Sequence, residues 1–190
     1  HTAHNGQWIE SPGLDLFNSV KKSIENFNVI AEDLGEVTDE VIELRDSYAF
    51  PGMRVLQFEP LENFLIDNFS ESSVLFTGTH DNDTLMGWFE SLPDKDANQN
   101  VVSKSKLIDL FKTDKDNINW KIINYAYASK SNTVIIPIQD ILGENSSARF
   151  NTPGILSDDN WSWRMQDEKL TKFIKKKMSK LTTHHNRKLR

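Results

Sequence analysis

Short apolar runs that stop at polar or acidic residues, separated by helical stretches, limit how this chain can fold more than any other feature. Val29-Ile30-Ala31 runs into Glu32-Asp33 and then Leu34-Gly35. Met53-Arg54-Val55-Leu56-Gln57-Phe58 is a second such run, and Ser73-Val74-Leu75-Phe76-Thr77 a third. The third leads directly into Gly78-Thr79-His80-Asp81-Asn82-Asp83-Thr84. Thr133-Val134-Ile135-Ile136-Pro137-Ile138 is the fourth, closed by Gln139-Asp140. Apolar runs of this length suit strands buried on both faces. Carboxylates are costly inside a core, so acids at strand ends belong at a rim. In isolation, the Glu32-Asp33 pair reads more readily as a cap for the next helix, whose first turn favours negative charge, than as part of a site.

Helical spacing fills the gaps. Leu16, Phe17, Val20 and Ile24 share a face between Leu14 and Phe27, with Lys21, Lys22 and Glu25 opposite. Thr38 is placed to cap a helix with Asp39 and Glu40 in its first turn, stopped by Pro51-Gly52. Residues 84–90, 107–111 and a helix capped by Asp116 follow, and a last helix carries Leu170, Phe173, Ile174, Met178 and Leu181 on one stripe. Residues 1–13 and 94–105 read as loops. Residues 143–164 have no period, but Phe150, Trp161 and Trp163 argue against disorder there. Strands alternating with helices predict an α/β chain with a parallel sheet and right-handed crossovers, organised as a single unit over residues 1–190. In such a sheet the polar strand ends meet at one edge, which turns the acidic pair from a cap into part of a candidate site.

Composition narrows the function classes. There is no Cys, so disulfides and thiolate metal sites are excluded. No apolar run approaches the ~20 residues needed to span a bilayer, and the N-terminus lacks the layout of a secretion signal. The net charge of −6 is uneven. Nine Lys/Arg and no acid follow Glu168, leaving −15 on the first 168 residues. Such a surface repels phosphate backbones and makes nucleic acid a poor partner. Membrane or nucleic-acid binding by the basic C-terminal helix is a minor alternative.

Carboxylates and a His gathered at one rim beside exposed aromatics suit two chemistries. One is carbohydrate work, with an acid to protonate a glycosidic oxygen, carboxylates to stabilise an oxocarbenium-like transition state and aromatic faces to stack on sugars. The other is a divalent metal site built from His80, Asp81 and Asp83 with Glu32. The spacing does not fit a calcium loop, and GxGxxG, P-loop, HEXXH and nucleophile-elbow contexts are all absent.

Six blocks in order then carry a resemblance. They are Ala31-Glu32-Asp33-Leu34-Gly35 with Thr38; Pro51-Gly52-Met53-Arg54-Val55-Leu56-Gln57-Phe58; Thr77-Gly78-Thr79-His80-Asp81-Asn82-Asp83-Thr84 with Gly87-Trp88; Pro137-Ile138-Gln139-Asp140-Ile141-Leu142-Gly143; Ala148-Arg149-Phe150-Asn151-Thr152-Pro153-Gly154; and Asn160-Trp161-Ser162-Trp163-Arg164. Together with the opening Thr2-Ala3-His4-Asn5-Gly6-Gln7-Trp8 and Pro12-Gly13, they resemble the 4-α-glucanotransferases, also called amylomaltases. The resemblance implies the C-terminal part, about four strands, of a (β/α)8 barrel. It implies a cytoplasmic enzyme without cofactor or metal that transfers α-1,4-glucan segments between maltooligosaccharides with retention. Glu32 matches the general acid/base and Asp81 the carboxylate that stabilises the transition state. His80 and Asn151 match donors to sugar hydroxyls, and Phe58 the aromatic bordering the donor sugar.

Two departures qualify the match. A retaining mechanism needs a carboxylate nucleophile. In the family it lies in an Arg-x-Asp block upstream of all these blocks, and no such block occurs here. Residues 59–68 also drift from the family pattern. The chain is therefore expected to be a fragment, inactive alone, that self-associates or needs the missing N-terminal part, because half a barrel leaves sheet edges unpaired. An α-glucan hydrolase and a non-catalytic glucan-binding or assembly module are the alternatives.

Overall fold

The computed structural model describes residues 5–7, 9–65, 69–96, 98 and 100–187. Most of the opening block (Thr2-Ala3-His4 and Trp8) and Ile66-Asp67-Asn68 lie outside the described residues. The chain divides into two compact units, His1–Gly52 and Met53–Arg190.

The first unit holds helix α1 (Gly13–Ser23) and helix α2 (Asp39–Ser47). α1 stops at Ser23, short of the expected Phe27, because Ile24 takes up an extended backbone. Asp15 in its first turn and Lys21 and Lys22 in its last complement the helix dipole. Thr38 sits at the N-cap of α2 but makes no capping bond to the backbone. Four rings form the unit's apolar centre. Phe50 stacks on Tyr48 at 5.4 Å and meets Phe17 and Phe27 edge-on at 5.1 and 5.7 Å. The Tyr48 hydroxyl donates to the Asn18 side-chain oxygen at 2.9 Å.

The strand expected over residues 28–33 does not form. Ala31 makes a single parallel bridge with Gly52, its N–H donating to the Pro51 carbonyl at 2.9 Å. The apolar run supplies only three residues before Asp33 is drawn to Arg45 of α2, and Gly35 turns the chain at φ +89°.

The second unit is built on a three-stranded sheet of order β1 (Gly52–Val55), β2 (Ser73–Phe76), β3 (Thr133–Ile135), rather than the expected four strands. β2 and β3 are parallel, with Val74, Leu75 and Phe76 opposite Thr133, Val134 and Ile135. The expected run to Ile138 is cut at Ile135 because Pro137 has no N–H to continue a ladder. Instead it starts helix α7 (Ile138–Leu142). The run from Met53 likewise ends at Val55, and Leu56–Phe58 tightens into a 3-10 turn that leaves Phe58 64% exposed.

Helices α3 (Leu61–Leu65), α4 (Leu85–Ser91), α5 (Lys104–Phe111) and α6 (Ile118–Ala128) bury one contiguous core with the sheet. Leu56, Leu75, Leu85, Leu107, Ile118, Ile122 and Ile123 are fully enclosed in it. Thr84 caps α4 by accepting from the Gly87 N–H at 3.0 Å. Asp114, two residues before the expected Asp116, caps a 3-10 turn that leads into α6. Helix α8 (Lys172–His184) starts at Thr171, which accepts from the Ile174 N–H. Leu181 packs on the core, whereas Phe173, expected on the same buried stripe, is 73% exposed. Among the described residues no helix is long and apolar enough to cross a membrane.

Candidate active site

The ends of β1, β2 and β3 do converge in the second unit. β2 runs into Thr77 and the segment 78–84, which carries His80 and Asp81 and ends where α4 begins. Gln57, just after β1, donates through Nε2 to the carbonyls of Thr77 at 3.2 Å and Asp83 at 2.9 Å. Asp140, beyond β3 in α7, is completely enclosed. Its Oδ2 accepts from the Thr77 hydroxyl at 2.5 Å and its Oδ1 from the Leu85 N–H at 2.7 Å. Burial pushes this carboxyl up to about 6, against the lowering effect of those two bonds, and the nearby Asp83 charge pushes the same way as burial. A Cβ at Gly78 would meet the Gln57 amide nitrogen at 2.6 Å, so a side chain there would push the Gln57 amide off its two carbonyls.

The 78–84 segment presents its chemistry outward. Asn82 folds back to accept from the Thr79 N–H at 2.9 Å and the Thr79 hydroxyl at 2.7 Å. That turn leaves the side chains of His80 and Asp81 roughly half exposed. Asn151 donates through Nδ2 to Asp81 Oδ1 at 2.6 Å, and His80 Nε2 lies 3.5 Å from the same oxygen. Arg149 ties the two segments together, donating to the Asp81 carbonyl at 2.7 Å and to the Asn151 carbonyl at 2.8 Å. The His80 ring lies 5.3 Å from the indole of Trp161, which meets Phe150 edge-on at 5.1 Å. Trp161 holds a left-handed backbone, φ +64°, uncommon for a bulky residue. Its N–H donates to the Phe150 carbonyl at 2.7 Å, and Arg164 donates to its carbonyl at 2.9 Å. A cavity of about 280 Å³ opens beside these groups, with His80, Gln139, Asp140, Arg149, Phe150 and Trp163 among its lining.

Asp83 is turned away from Asp81. Its carboxylate accepts from the Thr84 N–H at 2.7 Å and the Ser146 hydroxyl at 2.6 Å, and it packs where a Gly87 side chain would stand. Among the described residues no three His, Asp or Glu side chains come together as metal ligands. Within the second unit, Asp83 is committed to Thr84 and Ser146 rather than joining His80 and Asp81.

In the first unit the acidic pair separates into two roles. Asp33 is half-buried and paired with Arg45, packed where Gly52 leaves no room for a side chain. Glu32 is exposed, and no described residue binds its carboxylate. Of the five expected site residues, His80, Asp81 and Asn151 are brought together in the second unit, Phe58 stands exposed after β1, and Glu32 belongs to the first unit. Asn151, expected as a donor to a sugar hydroxyl, spends one amide hydrogen on Asp81. Sequence reasoning missed Arg149, Trp161 and Asp140 as site residues. Trp161 and Arg149 fall in the C-terminal sequence blocks, where nothing local marks a role, and Asp140 resembles any other acid after an apolar run.

Comparison with known proteins bears on this arrangement. Residues 1–171 match the family model described as 4-alpha-glucanotransferase. The chain belongs to the 4-alpha-glucanotransferase family. It is 39% identical over 190 residues to the 4-alpha-glucanotransferase of Clostridium butyricum, covering 98% of this chain and 38% of that protein. It is 42% identical over 165 residues to the chloroplastic/amyloplastic 4-alpha-glucanotransferase of Arabidopsis thaliana, covering 84% of this chain and 27% of that protein. Its structure is similar to an amylomaltase from Streptococcus agalactiae in complex with acarbose, with TM-score 0.81 and 30% identity over 98% of this chain and 37% of that one. The chain thus spans under two-fifths of the length of these family members.

Proposed function

We propose that this chain supplies the acid/base and the transition-state-stabilising carboxylate of a 4-α-glucanotransferase. The observation that carries the reading is Asp81. Its carboxylate is half exposed, oriented by Asn151, and stands beside His80 and an aromatic wall in a chain of this family. Glu32 protonates the glycosidic oxygen as the donor's bond breaks, and the glycosyl unit passes to a carboxylate nucleophile outside this chain. The acceptor's 4-hydroxyl then attacks, giving its proton to Glu32, so the anomeric configuration is retained. Asp81 accepts from hydroxyls of the distorted sugar, with His80 donating to others. Phe58 borders the donor ring and Trp161 extends the apolar face. No cofactor enters these steps.

On this reading residues 1–190 belong to the C-terminal part of a catalytic (β/α)8 barrel in the cytoplasm. The preceding part of the same enzyme completes the sheet and brings the nucleophile. The edge character of β3 supports this. Its Thr133 and Ile135 are exposed, whereas β2 is almost wholly buried, and parallel strands normally lie covered on both faces. Leu14, Leu16 and Ile30 of the first unit are also exposed, consistent with surface awaiting a partner, either the N-terminal part or a second copy.

The test joins this chain to the segment that precedes it in its gene and follows maltotriose by chromatography. Glucose together with maltooligosaccharides longer than the substrate is the expected product set, and the isolated chain is expected to give none. Glu32→Gln and Asp81→Asn each lower turnover by about 10³-fold or more if the two carboxylates carry the chemistry. Glucose and maltose without longer products would point to a hydrolase, and an unaffected Glu32→Gln enzyme would remove Glu32 from its role.

A further inference from the structure

Thr77 and Leu85 are the residues on either side of segment 78–84, and one buried carboxylate holds both. Asp140 takes the Thr77 hydroxyl on Oδ2 and the Leu85 N–H on Oδ1, across sequence gaps of 63 and 55 residues. The segment between those stems carries His80 and Asp81. Asp140 is itself anchored, since Asn119 of α6 donates to its carbonyl at 2.9 Å. From the β1 side, Gln57 holds the Thr77 stem and the Asp83 carbonyl near the segment's far end. Core packing alone does not call for an acid here. A buried carboxylate costs desolvation that an apolar residue of similar size would avoid. What a carboxylate adds is two short charge-assisted bonds in fixed directions.

We propose that Asp140 is a positioning residue for glucan transfer: by clamping both stems of segment 78–84, it sets where the Asp81 carboxylate meets the distorted sugar. The inference rests on the reading of Asp81 given above. Asp140 does not touch substrate in this scheme and acts through Thr77, Leu85 and the segment between them. A displaced Asp81 weakens contacts made in the transition state more than contacts made in the ground state, so the effect belongs in kcat rather than KM.

The experiment uses the enzyme completed by its preceding segment, with kcat for maltotriose disproportionation expressed per acarbose-binding site, well below the unfolding temperature. Asp140→Asn and Thr77→Val are expected to lower kcat about 10- to 100-fold, with KM changed less than about threefold. Thr77→Ser, which restores the hydroxyl, is expected to return kcat to within about threefold of the parent. Counting binding sites removes any loss that comes only from unfolded enzyme. An unchanged kcat per site in Asp140→Asn, or an effect confined to KM, overturns the proposal. Should Asp140→Asn fail to fold, the Thr77 pair decides, and failure of Thr77→Ser to rescue Thr77→Val overturns it. Asp81→Asn separates the two levels. Full activity there sinks the reading of Asp81, whereas an inactive Asp81→Asn beside a normal Asp140→Asn sinks only the positioning role.

Discussion

The side-chain amide of Asn151 donates to Asp81 Oδ1 at 2.6 Å, joining two segments 70 residues apart in sequence. A hydrogen bond to a charged group contributes about 1.5–3 kcal/mol. Removing it by Asn151→Ala is expected to lower kcat/KM for maltotriose about 10- to 100-fold in the completed enzyme. Asn151→Asp should do worse, because it sets a second carboxylate against Asp81. An Asn151→Ala enzyme within twofold of the parent, by initial rates, would show that Asp81 is oriented by other means.

Trp161 offers its ring both to His80 and, on the proposed reading, to the glucan. Trp161→Ala removes the 5.3 Å contact with His80 and the edge contact with Phe150. Aromatic pairs of this kind contribute about 0.5–1.5 kcal/mol, so acarbose affinity should drop about 3- to 10-fold by calorimetry. Trp161→Gly relieves the left-handed backbone at this position and is expected to unfold at a higher temperature than Trp161→Ala while binding acarbose equally weakly.

Arg45 neutralises the half-buried Asp33 beside the Gly52 backbone. Arg45→Met removes the ion-pair partner Arg45 from that half-buried carboxylate and should cost about 1–3 kcal/mol in urea unfolding of the transition that reports the first unit. Gly52→Ala is expected to destabilise the same unit, since the new methyl meets the Asp33 carboxylate. Asp33→Asn, made with Arg45→Met, should recover part of the loss. No recovery would show that the charge of Asp33 is not what Arg45 answers.

Asp140 gives a pH signature with a definite sign. Burial raises its carboxyl from 3.8 to about 6 in the folded protein. The folded form therefore holds this proton more tightly than the unfolded chain. The stability this contributes is complete below about pH 4 and is lost as pH rises through about 6. The unfolding free energy of the parent minus that of Asp140→Asn is expected to fall by about 2–3 kcal/mol between about pH 4 and pH 7. Urea titrations of both proteins across that window test it, and a flat difference would place the Asp140 pKa near its ordinary value.

Much of this was legible in the sequence because it is local. The runs from Ser73 and Thr133 show as β-branched and apolar clusters, and a helix shows from residue 84, whereas Pro137 sits inside the expected fourth run and the caps Thr84 and Thr171 emerge only in the structure. Six ordered blocks pointed to the family that residues 1–171 match. The run at 29–31 misled because a strand exists only where a partner ladder continues, and here pairing ends at one bridge.

What the sequence by itself determined is the α/β class, from the alternation of apolar runs and helical spacing, and the family, from six blocks in a fixed order. The residues proposed to carry the chemistry come from that family resemblance. Only the tertiary structure decided which of two neighbouring acids is tied down and which is open: Asp33 against Glu32, and Asp83 against Asp81. In each pair the two side chains are chemically alike. Arg45, Ser146 and Asn151 lie 12 to 70 residues away, and what each acid meets is set by long-range packing that no local pattern encodes.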